Sequence, residues 1–133
     1  MSDIPEEQLV LKGPALTVAY AVDANGDMPA KEFLDEMTGK KAPTDREKAG
    51  LYQVFKVLTQ IGKVTNELQF KKERDEIFGF KKYQARIAAF RVDDIWYLTH
   101  GFKKKKDRWS ETEFTRANRI RNEHLKRCSK GQH

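Results

Sequence analysis

The chain has 133 residues, 38% hydrophobic and 35% charged, with a formal net charge of +6. That length suits one compact domain, read here as residues 1–133 with a core over about 16–127, and it argues against two independent cores. No stretch approaches the roughly 20 apolar residues of a membrane span, MSDIPEEQLV lacks the basic start and apolar run of a signal peptide, and the lone Cys128 has no partner for an internal disulfide, so a reducing cytoplasm is the expected compartment. The charge is uneven: residues 1–70 hold 8 Lys/Arg against 11 Asp/Glu, whereas residues 71–133 hold 18 against 9. A basic second half points to a polyanionic partner, because each phosphate that it neutralises releases condensed counterions.

Residues 1–15 read as an extension, followed by LTVAYAVD (16–23), a β-rich run that ends in the turn signal ANGD. A helix is expected next, with Asp27 as cap, Pro29 in the first turn, Phe33, Leu34 and Met37 at helical spacing and Gly39 as terminator. TDREKAGLYQVFKVLTQIG opens on Thr44 with Glu47 three residues on, the spacing of a capping box. Its stripe is Leu51, Val54, Phe55, Leu58 and Ile61, with Gly62 placed to end it. The two helices are expected to cover one face of a sheet.

Three strand candidates follow: EIFGFKKY (76–83), ARIAAFRV (85–92) and IWYLTHGF (95–102), with Asp93 and Asp94 as a tight hairpin. Ser110 and Glu113 then form a second capping-box pattern ahead of SETEFTRANRIRNEHLKR, whose Phe114, Ala117 and Ile120 face inward; SKGQH is a tail expected to fray. The order predicts an α+β domain: a small, mainly antiparallel sheet of about four strands, two N-terminal helices packed on it and a C-terminal helix.

Two metal signatures fail. DANGD places Asp23, Asn25 and Asp27 as a calcium loop does, but Met28 and Leu34 occupy the positions of its glycine and bidentate glutamate. His100, His124 and His133 lie too far apart to form a zinc signature with one cysteine. Strict alternation would put Trp96, Leu98, His100 and Phe102 on one face of their strand. There His100 is read first as a hydrogen-bonded core residue, with proton transfer as its functional alternative.

The cations converge by topology. In a meander, Lys81 and Lys82 end one strand, Lys103, Lys104, Lys105 and Lys106 end the next but one, and the strand between carries Arg86 and Arg91. Two strand ends separated by one antiparallel strand lie at the same edge of the sheet. Arg108, Arg116 and Arg119 extend the basic surface, and Tyr83 or Trp109 beside it could stack on a splayed base, while the plain alternative for Trp109 is to pack the last helix on the sheet. Cleavage of an RNA phosphodiester needs a base for the 2′-hydroxyl proton, cations for the phosphorane charge and an acid for the leaving oxygen. Lysine and arginine supply the second need directly. Crowding of like charges favours a neutral lysine that serves as the base.

The run EIFGFKKYQARIAAFRVDDIWYLTHGFKKKKDRWSETEFTRANRIR resembles the core of the RelE/HigB-type toxins of bacterial toxin–antitoxin modules, in particular the phage-derived HigB-like branch. The most distinctive part is His-Gly-Phe-Lys-Lys after a strand, and the likeness extends over residues 16 to about 127. The resemblance implies a RelE-like fold and a metal-independent endoribonuclease that cleaves messenger RNA, usually on the ribosome, inhibits translation and is restrained by a cognate antitoxin, often a helix-turn-helix protein. It needs no cofactor. Carried over by position, Lys81, Arg86, Lys103, Lys104 and Lys105 are the catalytic cations, and Trp109 falls near a functional tyrosine of some relatives; Lys82, Arg91, Lys106, Arg108, Arg116 and Arg119 would bind RNA. Two departures stand out: Gly79 replaces a charged residue of some relatives, and Lys106-Asp107-Arg108-Trp109 replaces a common Thr-Pro. The alternative is a non-catalytic toxin directed at gyrase, or a basic RNA-binding module.

Overall fold

The computed structural model describes residues 4–106 and 108–129; Asp107 and the tail from Lys130 lie outside the described residues. In chain order the elements are β1 (Leu9–Lys12), β2 (Thr17–Tyr20), a single turn α1 (Pro29–Lys31) continued by a π-helical turn Glu32–Glu36, α2 (Asp45–Ile61), β3 (Phe70–Arg74), β4 (Ile77–Lys82), β5 (Ala85–Val92), β6 (Ile95–Lys103) and α3 (Glu111–Ser129). They build one six-stranded mixed sheet in the order β1-β2-β6-β5-β4-β3. Only β2 and β6 run parallel; the other neighbours are antiparallel.

The expected sheet of about four strands with two N-terminal helices is therefore corrected. β1 comes from the stretch read as an extension and pairs with β2. β3, with the sequence FKKER, is an edge strand whose exposed charges hide the apolar alternation that marks a strand. The first expected helix shrinks to α1 and its π turn, and both helices follow two strands. Asp27 does not cap it: the Asp27 amide donates to Asp23 Oδ1 at 2.9 Å within a loop, and the N-cap position is Met28. Pro29 does open the turn, but the chain is already extended at Met37.

α2 follows its sequence signals closely. Thr44 Oγ1 accepts from the Glu47 amide at 3.1 Å, Glu47 Oε1 accepts from the Thr44 amide at 2.9 Å, and Gly62 caps the other end at φ 91°. Such a cap contributes about 1 kcal/mol. Leu51, Val54, Phe55 and Leu58 are buried, whereas Ile61 is 65% exposed and leaves the stripe.

The sheet is covered on both faces. Leu51, Phe55 and Leu58 of α2 and Phe33 pack on one face with Val18, Phe80, Ile87 and Leu98. Phe114, Ala117 and Ile120 of α3 pack on the other with Ile77, Ala88, Phe90 and Tyr97. Burial on both faces explains why ARIAAF reads as a continuous apolar run rather than an alternating one.

A β-bulge changes one expected face. Ala88 pairs with His100 but Ala89 pairs with Leu98, so Thr99 is an extra residue in β6. Its hydroxyl donates to the Ala88 carbonyl at 3.2 Å. Beyond it the alternation is reset: Trp96 and Leu98 face α2, whereas His100 and Phe102 face α3. Gly101 then faces α1, where an added Cβ would run into the buried ring of Phe33. Gly101→Ala is expected to lower stability by about 1–3 kcal/mol, read as a lower urea midpoint with the slope unchanged.

Candidate nucleic-acid interface

The lysine end of the sheet is assembled by one carboxylate. Glu47, in the first turn of α2, accepts from the Gln84 amide at 2.8 Å and the Ala85 amide at 2.9 Å, where the turn from β4 enters β5. Its other oxygen takes the Thr44 amide and the Lys103 ammonium. Burial pushes the Glu47 carboxyl upward, but the hydrogen bonds from Lys103, Thr44 and Gln84 outweigh it and hold the group below the usual carboxylate range. Lys103 also donates to the Ala42 carbonyl at 3.3 Å. It is thus a structural cation on the α2 face.

The other predicted cations divide by face. Lys81 pairs with Arg86 across β4 and β5, and Arg86 lies opposite Phe102. Lys81 and Arg86 therefore share the α3 face, as does Lys104, whose charge helps to lower the carboxyl of Glu113 in α3. Lys82 points the other way and lies along α2 at Gly50. Lys105 and Lys106 are exposed beyond the end of β6. Arg91 sits five residues from Arg86, about 17 Å along the strand, where its Nε donates to the Asp93 carbonyl at 2.6 Å; it is not part of this end. Arg119 pairs with Glu123 at 3.0 Å, and Arg116 acts on Glu32 and Glu113, so both serve acidic neighbours along α3.

Lys81 and Arg86 border a small cleft, about 40 Å³ in volume, that is also lined by Lys71, Glu73, Gly79 and Trp109. It adjoins an outer hollow flanked by Arg74 and Arg108, because Lys71, Glu73 and Trp109 line both. The cations on β3 were missed from the sequence along with the strand itself. Arg86 forms the floor of the cleft: it is 2% exposed and its Nη1 donates to the Tyr83 carbonyl at 2.6 Å and the Ala85 carbonyl at 3.2 Å. Arg74 is held by Glu111 in two bonds of 2.8 Å and lies 3.9 Å from the centre of the Phe114 ring.

Trp109 is buried, stacked on Phe114 and edge-on to Phe102. Its ring passes over Gly79, where a Cβ would come within 2.5 Å. Packing of the last helix, rather than stacking on a base, is its role in this arrangement, and the glycine gives the ring clearance.

His100 is fully buried between Thr99 Oγ1 at 3.2 Å and Glu113 Oε1 at 3.1 Å. Burial pushes its pKa down, while its bond to Glu113 holds the carboxyl of Glu113 below the usual range. A neutral ring that donates from Nε2 to an ionised Glu113 satisfies both shifts. The ring positions α3 on the sheet. Among the described residues, no group of three or more His, Cys, Asp or Glu side chains could hold a metal ion.

Removing the central carboxylate with Glu47→Ala strands Lys103 and two turn amides, and is expected to cost about 3 kcal/mol in chemical denaturation. The pH dependence follows from His100. Its folded pKa lies below that of a free histidine, about 6.5, so the unfolded chain takes up a proton first. Stability is therefore full above that pH and declines as the pH falls through it. In NMR titration the His100 ring is expected to begin titrating only at lower pH than an exposed histidine. In comparisons with known proteins, no family model matches the chain, and no curated protein does.

Proposed function

We propose that the protein acts on RNA, as an endoribonuclease toxin of the RelE/HigB type that cuts messenger RNA on the ribosome and is held in check by a cognate antitoxin. The observation that carries this reading is the placement of Lys81, Arg86 and Lys104 on the α3 side of one sheet end, where Lys81 and Arg86 line a cleft with Lys71 and Glu73. Lys71, Lys81 and Arg86, from three adjacent strands, line that hollow and suit a phosphate that gains charge in the transition state, since preorganised positive groups act most strongly where water is thinned out. Glu73 in the cleft wall is a carboxylate within the same cluster and suits the role of base toward a 2′-hydroxyl. Arg86, buried beneath, adds positive potential from the floor.

A specific observation favours a second reading, a basic RNA-binding module without catalysis. Arg86 and Lys103 already spend their hydrogen bonds on Tyr83, Ala85, Ala42 and Glu47, which leaves the exposed Lys71, Lys105, Lys106 and Arg108 as the outward charges. Such a surface binds phosphates without cutting them.

Induced expression of wild type beside Lys81→Ala, Lys104→Ala and the double variant separates the two. Wild type is expected to arrest growth and leave discrete transcript ends by primer extension, each single change to reduce cleavage about 10- to 100-fold and the double change to abolish it. Arrest without new transcript ends would favour the binder. Arrest and cleavage untouched by either lysine would remove this site from consideration.

A further inference from the structure

Three two-residue turns join β3 to β4, β4 to β5 and β5 to β6, and all place their first residue in the left-handed region: Asp75 at φ 51°, Tyr83 at 52° and Asp93 at 54°. Aspartate tolerates that conformation because its short polar side chain can hydrogen-bond locally, whereas a bulky aromatic is strained there. The two aspartate turns lie at the end of the sheet away from the lysines. The tyrosine turn lies between Lys82 and Gln84 at the lysine end. Strain that persists in this way marks a position where the side chain has a task that the surroundings enforce.

The surroundings do enforce it. The Tyr83 carbonyl accepts from the buried Arg86 at 2.6 Å, the Gln84 amide donates to Glu47 at 2.8 Å, and the Gln84 carbonyl accepts from the Lys104 amide at 2.8 Å. With its backbone clamped, Tyr83 is nonetheless 60% exposed. The Lys82 stem lies on Gly50, where an added Cβ would fall 2.5 Å from the lysine Cγ and Cδ, and this places the Lys82 ammonium 4.7 Å from the centre of the Tyr83 ring. The result is an aromatic ring on a clamped backbone, presented to solvent beside the Lys82 ammonium at the sheet end that also carries Lys81 and Lys104. An exposed aromatic beside a lysine at a basic sheet end fits a base with its phosphate: the ring offers a π-face, and the lysines of that end offer charge to the backbone.

We propose that Tyr83 is a nucleobase platform, on which an unpaired base of single-stranded RNA stacks, and that Arg86 is a positioning residue that acts through the Tyr83 carbonyl rather than a ligand of the phosphate. This deepens the RNA reading of the same site and rests on it. Binding is measured by fluorescence anisotropy with a labelled single-stranded RNA and, in parallel, with heparin as a polyanion that has no bases. Tyr83→Phe is expected to bind RNA as wild type does. Tyr83→Ala and Tyr83→Asn are expected to lose about tenfold in RNA affinity, within the range for one stacked base, and to keep their affinity for heparin. Tyr83→Asn relieves the strained turn and is expected to melt above wild type, so weaker binding cannot be put down to misfolding. Arg86→Ala is expected to lose as much RNA affinity as Tyr83→Ala, and the double variant no more than either, which a purely structural arginine would not produce.

Equal RNA affinity in wild type and Tyr83→Ala would overturn the platform and leave the exposed ring as a contact for protein. So would a matching loss toward heparin, or a lower melting temperature for Tyr83→Asn. Wild type that binds neither RNA nor heparin would fail the RNA reading as a whole, an outcome that is distinct because it does not depend on residue 83.

Discussion

One buried carboxylate holds the lysine end of this molecule together. Glu47 receives the amide of its own N-cap residue, two amides of the β4–β5 turn and the ammonium of Lys103. Each donor belongs to a different problem of the fold: the open N-terminus of α2, a turn with no partner strand for its amides, and a lysine at the end of β6 that is drawn inward. A carboxylate has about four acceptor sites, and here all are used. Because the hydrogen bonds outweigh the cost of burial, the charge is retained and the elements stay in register. The position of Lys104 follows from this knot, since its amide bonds to Gln84, whose own amide bonds to Glu47.

The same knot divides the cations. Lys82 and Lys103 face α2, one lying along Gly50 and the other bound to Glu47, while Lys81, Arg86 and Lys104 face α3. What the sequence displays as a single basic run is, in three dimensions, an alternating strand end whose charges do different work. The lysine nearest the bulge-reset end of β6 is consumed by structure, and the cleft draws instead on Lys71 from an edge strand on the far side of β4.

Much of this was legible in the sequence, and the rest was not for physical reasons. The Thr44–Glu47 box and Gly62 marked α2 to the residue because caps are local and chemically specific. The meander and the Asp93–Asp94 turn were visible from apolar runs at hairpin spacing. β1 and β3 were not, since edge strands carry charge or lie exposed and lose the pattern that burial imposes. The face of His100 was misjudged because an inserted Thr99 leaves no mark in the alternation until the pairing is known. The convergence of Lys81, Arg86 and Lys104 was legible from topology, but the burial of Arg86 and the packing of Trp109 depend on how α3 docks, which periodicity does not encode.

The charge asymmetry along the chain acquires a structural sense in this light. The N-terminal half is acidic and the C-terminal half basic, and at the lysine end Glu47 of the acidic half reaches across to neutralise Lys103 of the basic half. Glu32, close to Asp23 and Asp27, is offset by Arg116, and Glu123 is committed to Arg119 and the Ala24 amide. These anions are thus spent where elements must be joined. A lysine-rich surface has a potential that extends over about a Debye length, some 8–10 Å at ordinary ionic strength. That range exceeds the reach of any one lysine side chain's hydrogen bonds. On the proposed RNA reading, an approaching strand is met first by the summed field of several segments, and only then by the exposed ring of Tyr83.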